Sequence, residues 1–298
     1  MNPKVAEKIN ELRNDRTHGA SLLSRQAVSI LNLAINESQS DTAADLINEI
    51  RVIAAELIKA RPNMVSIANY IHTFLQKIML EAQNKKQLDI LKSFALAKGD
   101  ELIELSEEAV LRAIEYGSAI IGNQDKVITC SYSSTVCEAF ELAKQNGRKF
   151  QVIIAESKFE DKAYGKITAE QLKQRQISVE IIGDEDISLH ASRAKKALVG
   201  ADSILDDGSL INGTPTYRLA KAVAQAGLPF YSICETGKFD VHSYMAKTPK
   251  PELGFDKTPH NLITGIITEK GVIETSQVIA YVKEMARLYL MNGTTGLA

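Results

Sequence analysis

The sequence predicts an α/β chain in two parts: an N-terminal helical domain over residues 1–122, followed by a parallel-sheet domain over 123–298. Three observations carry this. Up to about residue 122 the apolar residues recur at helical spacing. Beyond it, short apolar runs of strand length alternate with helical segments. Gly122-Asn123 stands between the two patterns as a stop signal.

In the first part, Ala27, Ile30, Leu31, Ala34 and Ile35 share one helical face. Leu46, Ile50, Ile53, Ala54, Leu57 and Ile58 share another, with Asp41 or Thr42 as the expected cap and Pro62 as the stop. Further helices are predicted at about 64–84, 85–98 and 100–120. In the second part, strands are predicted at 127–131, 151–156, 178–182, 203–205, 230–234 and 262–268. Several are near-continuous apolar runs, as expected of strands buried on both faces. Helices are expected between them at about 134–146, 168–175, 188–198 and 216–226, with a last one at 275–291. The alternation implies right-handed crossovers and a Rossmann-like parallel sheet. The segment 247–259 holds three of the seven prolines and reads as a surface loop.

Composition narrows the function. With 35 basic and 37 acidic residues the formal net charge is -2, so the chain lacks the basic footprint of direct nucleic-acid binding. No apolar stretch reaches the roughly 20 residues that span a bilayer, and the N-terminus has no apolar signal region. Cys130, Cys137 and Cys234 match no common zinc spacing, and His72, His190, His242 and His260 suggest no metal either. The expectation is a cytoplasmic protein with reduced thiols and without metal or cofactor.

Ligands of open parallel sheets bind beyond the carboxyl ends of the strands. That points to 131–135, 156–158, Asp184, 202–207 and 235–240. Ser131, Tyr132, Ser133, Ser134 and Thr135 make a hydroxyl-rich turn ahead of a helix, where orphan N–H groups favour an anion. The same residues serve equally as ordinary N-caps.

Several of these strand ends carry a resemblance. Val199-Gly200-Ala201-Asp202-Ser203-Ile204, then Asp207-Gly208-Ser209-Leu210-Ile211-Asn212 and Thr216-Tyr217-Arg218, resemble the GAD–NG–N signature of the initiation-factor-2B superfamily. Ala155-Glu156-Ser157-Lys158, Gly165-Lys166-Ile167-Thr168 and Glu235-Thr236-Gly237-Lys238-Phe239 stand where that family has an E-[ST]-R-P turn, its following helix and an E-T-x-K-F segment. Thr258-Pro259 through Val272 resembles its closing segment, and Arg16-Thr17-His18-Gly19-Ala20-Ser21 its helix-opening GA turn. The match runs from about Asn10 to Leu290.

The superfamily joins isomerases of methylthioribose 1-phosphate or ribose 1,5-bisphosphate to regulatory subunits of the factor that exchanges nucleotide on initiation factor 2. The isomerases are similar at four positions: a Cys in T-H-C-N-[ST], the Asp of GAD, a Lys in N-K-I-G-T and an Arg in R-G-A. This sequence keeps Asp202; Ser131 stands at the thiol, Gly213 at the lysine and His18 at the arginine, while Pro215 replaces a glycine and removes an N–H. A serine hydroxyl ionises far less readily than a thiol, so Ser131 is no direct substitute as proton carrier. The resemblance therefore implies binding of a phosphorylated sugar or nucleoside monophosphate in a regulatory, non-catalytic role. The alternative is an altered aldose–ketose isomerase, with Asp202 as acid/base and Ser131 orienting substrate. Ligand contacts are expected from Gly19, Ala20, Ser21, Tyr132, Ser133, Ser134, Glu156, Lys158, Asn212, Thr216 and Lys238. Several have plain readings: Asp202 as a strand-end carboxylate, Glu156 and Asn212 as loop supports, Lys158 and Lys238 as solvated surface cations. The resemblance further implies a homodimer through the C-terminal domain, including 262–272, and a translation-factor partner.

Overall fold

The computed structural model describes residues 1–15, 18–62, 64–84, 87–245, 251 and 253–290. Arg16, Thr17 and, of the predicted loop at 247–259, residues 247–250 and 252 lie outside the described residues. The chain divides into two compact units, Met1–Glu107 with Val282–Ala298, and Glu108–Tyr281.

The first unit is helical: α1 (Pro3–Asn14), α2 (Ala20–Glu37), α3 (Ala43–Ala60), α4 (Val65–Asn84) and the first part of α5 (Leu88–Ala119). Helix α1 forms in the charged N-terminal segment because Val5, Ile9 and Leu12 fall on one face and are buried, with Pro3 in the first turn and the Asn2 side chain accepting from the Lys4 amide. Helix α2 packs on α1, α3 and α4, so the predicted stripe Ala27–Ile35 becomes core with Leu46, Ile50, Ile53 and Leu57. Thr42 caps α3 by accepting from the Asp45 amide at 3.1 Å. The separate helices predicted at 85–98 and 100–120 are one helix of 32 residues. Gly99 does not break it, because Leu91, Ala95 and Leu102 continue one buried stripe through it.

The second unit carries the sheet. Its elements are β1 (Lys126–Thr129), α6 (Ser134–Gln145), β2 (Gln151–Ala155), a short hairpin β3 (Lys158–Phe159) and β4 (Lys162–Ala163), α7 (Tyr164–Gln174), β5 (Ser178–Ile182), α8 (Ile187–Ala191), β6 (Lys196–Val199), β7 (Ser203–Ile204), β8 (Leu210–Gly213), α9 (Thr216–Gln225), β9 (Phe230–Ile233), α10 (Val241–Tyr244), β10 (Phe255–Thr258), β11 (Gly265–Thr268), β12 (Gly271–Ile273) and the start of α11 (Val278–Leu290). The main sheet runs β12-β11-β9-β6-β1-β2-β5, parallel except for the antiparallel edge strand β12. In chain order the parallel strands stand as 3-2-1-4-5-6, the doubly wound Rossmann arrangement. The order reverses between β1 and β6. Val127, Phe140, Val152, Ile154, Leu198 and Ile267 fill one apolar cluster of this unit.

In this unit three further sequence expectations are corrected. The helix predicted at 188–198 stops at Ala191, and Lys196–Val199 becomes β6, a central strand. Ala, Lys and Leu favour helix weakly; burial of Ala197, Leu198 and Val199 between β1 and β9 overrides that preference. The strand at 203–205 is real but belongs to a separate three-stranded sheet, β10-β8-β7. Within the predicted loop, Phe255–Thr258 forms β10 against β8.

Candidate functional site at the sheet switch point

The carboxyl ends of β1 and β6 open at the place where the strand order reverses, the usual ligand position of such sheets. At the end of β1 the chain turns sharply. Cys130 points inward: it is 3% exposed, and its Sγ lies 3.3 Å from Thr216 Oγ1. Burial pushes its thiol up to about 12. Ser131 follows in the left-handed region, with φ 62. Its amide donates to Ser157 Oγ at 2.6 Å, and its carbonyl accepts from Thr168 Oγ1 at 2.7 Å. The Ser131 hydroxyl faces the end of β8 so closely that a Cβ on Gly213 would lie 2.5 Å from it.

Two residues on, Ser133 is the N-cap of α6, its Oγ accepting from the Val136 amide at 3.4 Å. It sits against the end of β6, where a Cβ on Gly200 would come within 2.7 Å of the Ser133 side chain. The turn after β1 therefore lies against both Gly200 at the end of β6 and Gly213 at the end of β8. Asp202 is half-buried, and its amide donates to Ile211 O at 2.9 Å. Ser134 is half-buried in the first turn of α6 and Thr135 is buried. Tyr132 packs on the apolar cluster around Phe140, and burial raises its phenol above the ordinary value.

The remaining predicted contacts fall as follows. Asn212 Nδ2 donates to Thr216 Oγ1 at 2.9 Å, and Thr216 Oγ1 donates to Gly213 O at 2.6 Å; both residues are buried. Glu156 pairs with Lys166 at 2.7 Å, which holds its carboxyl below the ordinary value. Lys158 is exposed, while its amide and that of Ser157 donate to the Asp184 carboxylate at 3.0 and 2.7 Å. Lys238 is no surface cation: it is 6% exposed and donates to Ala201 O at 2.9 Å. Gly19, Ala20 and Ser21 open α2 in the helical unit, with Gly19 as N-cap, and His18 Nδ1 lies 2.7 Å from Asp15 Oδ2.

Ser157 lies in the predicted stretch 156–158 but was not among the expected contacts, and Asp256 was not singled out from sequence. Ser157 is wholly buried and links the turn after β2 to Ser131. Asp256 accepts from Thr214 Oγ1 and from the Tyr217 amide, both at 3.1 Å, so a partly buried carboxylate of the chain itself sits at the start of α9. Its position in the predicted loop concealed it; the pairing of β8 with β10 places it opposite Asn212. Among the described residues no cluster of His, Cys, Asp and Glu could hold a metal ion, and no helix is long and apolar enough to cross a membrane.

Residues 16–253 match the model of the initiation factor 2 subunit family. The chain belongs to that family. It is 31% identical over 282 residues to a putative translation initiation factor eIF-2B subunit 2-like protein of Pyrococcus furiosus, covering 91% of this chain and 96% of that one. It is 27% identical over 305 residues to a ribose 1,5-bisphosphate isomerase of the same organism, covering 94% and 93%. The crystal structure of the Pyrococcus horikoshii OT3 translation initiation factor eIF-2B superposes with a TM-score of 0.77 at 31% identity, covering 94% of this chain and all of that one. This chain thus has relatives named for both activities, and the choice between them rests on the site.

One consequence of the geometry is measurable. All three cysteines are free and buried, and burial raises each thiol, Cys130 and Cys137 to about 12. Native protein is expected to show almost no reaction with a thiol reagent from pH ~7 to ~9, whereas unfolded protein reacts progressively faster as the pH nears the free thiol value of about 8.5. Because the folded values lie above the unfolded ones, stability is flat below the unfolded pKa and falls as pH rises beyond it. Rapid native labelling would contradict the buried placement of Cys130.

Proposed function

We propose that this member of the initiation factor 2 subunit family binds a small phosphorylated ligand at the β1–β6 switch point and does not isomerise it. The ligand class is a phosphorylated sugar or a nucleoside monophosphate. The observation that carries the reading is the end of β1. The residue turned to the switch point is Ser131, while the neighbouring Cys130 is buried against Thr216 with its thiol at about 12. Proton transfer between sugar carbons needs a group that ionises near working pH, and neither residue supplies one. The lysine of the isomerase pattern is Gly213, and in this backbone a side chain there would collide with Ser131. Ser134, the Ser133 hydroxyl as donor and the N-terminus of α6 supply polar contacts for a phosphate, and the Asp202 carboxylate contacts for sugar hydroxyls.

The isomerase reading keeps one supporting observation: Asp202 stands half-buried at the end of β6, beside the switch point, where an acid/base would act. Relatives named as translation initiation factor eIF-2B subunits support a translation-factor partner, and the family resemblance supports a cytoplasmic homodimer through the sheet unit.

Thermal unfolding with ribose 1,5-bisphosphate, methylthioribose 1-phosphate, AMP and GMP tests the binding. A ligand at about 100 times its Kd adds about 2.7 kcal/mol of stability. One of the four is expected to raise Tm, and Asp202→Asn is expected to weaken that shift. No shift with any of them would overturn the reading.

A further inference from the structure

The loop that follows β6 is held from the direction of β9. Gly200 O accepts from the Ser232 hydroxyl at 3.2 Å, and Ala201 O accepts from the Lys238 ammonium at 2.9 Å. On the other side the Asp202 amide donates to Ile211 O at 2.9 Å. Three successive residues are thus fixed through their backbones, two of them by buried side chains outside the loop.

The lysine is the informative member. An ammonium taken out of water is costly unless it is paired, and its usual buried partner is a carboxylate. Glu235 opens the same short turn that contains Lys238, is wholly buried, and has neither carboxylate oxygen hydrogen-bonded among the described residues. Lys238 instead reaches across to the carbonyl immediately before Asp202. A cation placed only to balance local charge would pair on its own turn; this one is spent on the backbone of the neighbouring strand's loop.

We propose that Lys238, assisted by Ser232, is a positioning residue of the switch-point site: it fixes the Gly200–Asp202 backbone and so the place from which the Asp202 carboxylate meets a ligand. Lys238 acts through the loop and does not itself touch the ligand. The inference rests on the binding reading for its purpose, but its test reads the loop without any ligand, so the two fail separately.

The experiment is amide hydrogen exchange followed by 1H–15N NMR on the full chain. In Lys238→Met the Asp202 amide is expected to exchange at least about 10-fold faster and to shift its resonance, while amides of β1 and β2 keep wild-type rates. Ser232→Ala, a mild change that leaves the fold intact, is expected to act on the same amides to a smaller extent. Glu235→Gln is expected to leave Asp202 exchange at the wild-type rate. The proposal is overturned if Asp202 exchange is unchanged in Ser232→Ala and Lys238→Met, if Glu235→Gln accelerates it as much, or if all amides rise together. Should Lys238→Met not fold, Ser232→Ala and Glu235→Gln decide between these outcomes.

Discussion

Phe140→Ala is expected to lower stability by about 3–5 kcal/mol, the usual loss for truncating a fully buried aromatic. Phe140 lies on the inner face of α6 and is wholly buried among Val127, Val152 and Ile154. Its ring stacks on Phe150 with centroids 5.7 Å apart. The helix it anchors is the one that Ser133 caps and Ser134 opens, so the same substitution loosens the element proposed to bind the phosphate. Urea unfolding measures the loss as a lower midpoint. A change under about 1 kcal/mol would mean that α6 does not depend on this packing.

Gly165→Ala is expected to destabilise by about 3 kcal/mol, the upper end for forcing a group into filled space. Propensity alone predicts the opposite sign, because alanine is preferred to glycine in a helix by about 1 kcal/mol. Gly165 lies in the first turn of α7, and its amide donates to Glu156 O at 2.9 Å. A Cβ there would stand 2.0 Å from the Ala155 carbonyl oxygen, which is backbone of β2 and cannot rotate away. Relief requires α7 to move off the turn that holds Ser157, and Ser157 is the partner of the Ser131 amide. Ligand affinity is therefore expected to fall along with stability. A stabilised variant, seen as a raised urea midpoint, would contradict the close approach.

Much of the architecture was legible because local and tertiary preferences agree. The stripe from Ala27 to Ile35 and the runs at 127–131 and 151–156 could bury their apolar faces in only one way. Legibility failed where the two preferences part. Lys196–Val199 has the composition of a helix and becomes a central strand only because β1 and β9 flank it. Asp256 reads as part of a proline-rich loop until β10 pairs with β8. At the candidate site, the strand-end rule and the family signature pointed to Ser131, Ser133 and Asp202, which the fold does bring to neighbouring strand ends, but they did not show which side chains the scaffold uses. Asn212 and Thr216 bond to each other, Glu156 is paired with Lys166, and Lys238 is buried on Ala201. A sequence gives side-chain type; whether its polar atoms are already spoken for depends on contacts far apart along the chain, such as Lys238 with Ala201.

The most direct test of the account is a single 1H–15N NMR titration with ribose 1,5-bisphosphate, in which the sugar's own signals are followed over hours. A bound but unconverted ligand should move the amides of Ser133, Ser134 and Gly200–Asp202 while the aldose spectrum stays constant. Accumulation of a ketose, or amides that stay still with ribose 1,5-bisphosphate and then also with methylthioribose 1-phosphate, AMP and GMP, would contradict it.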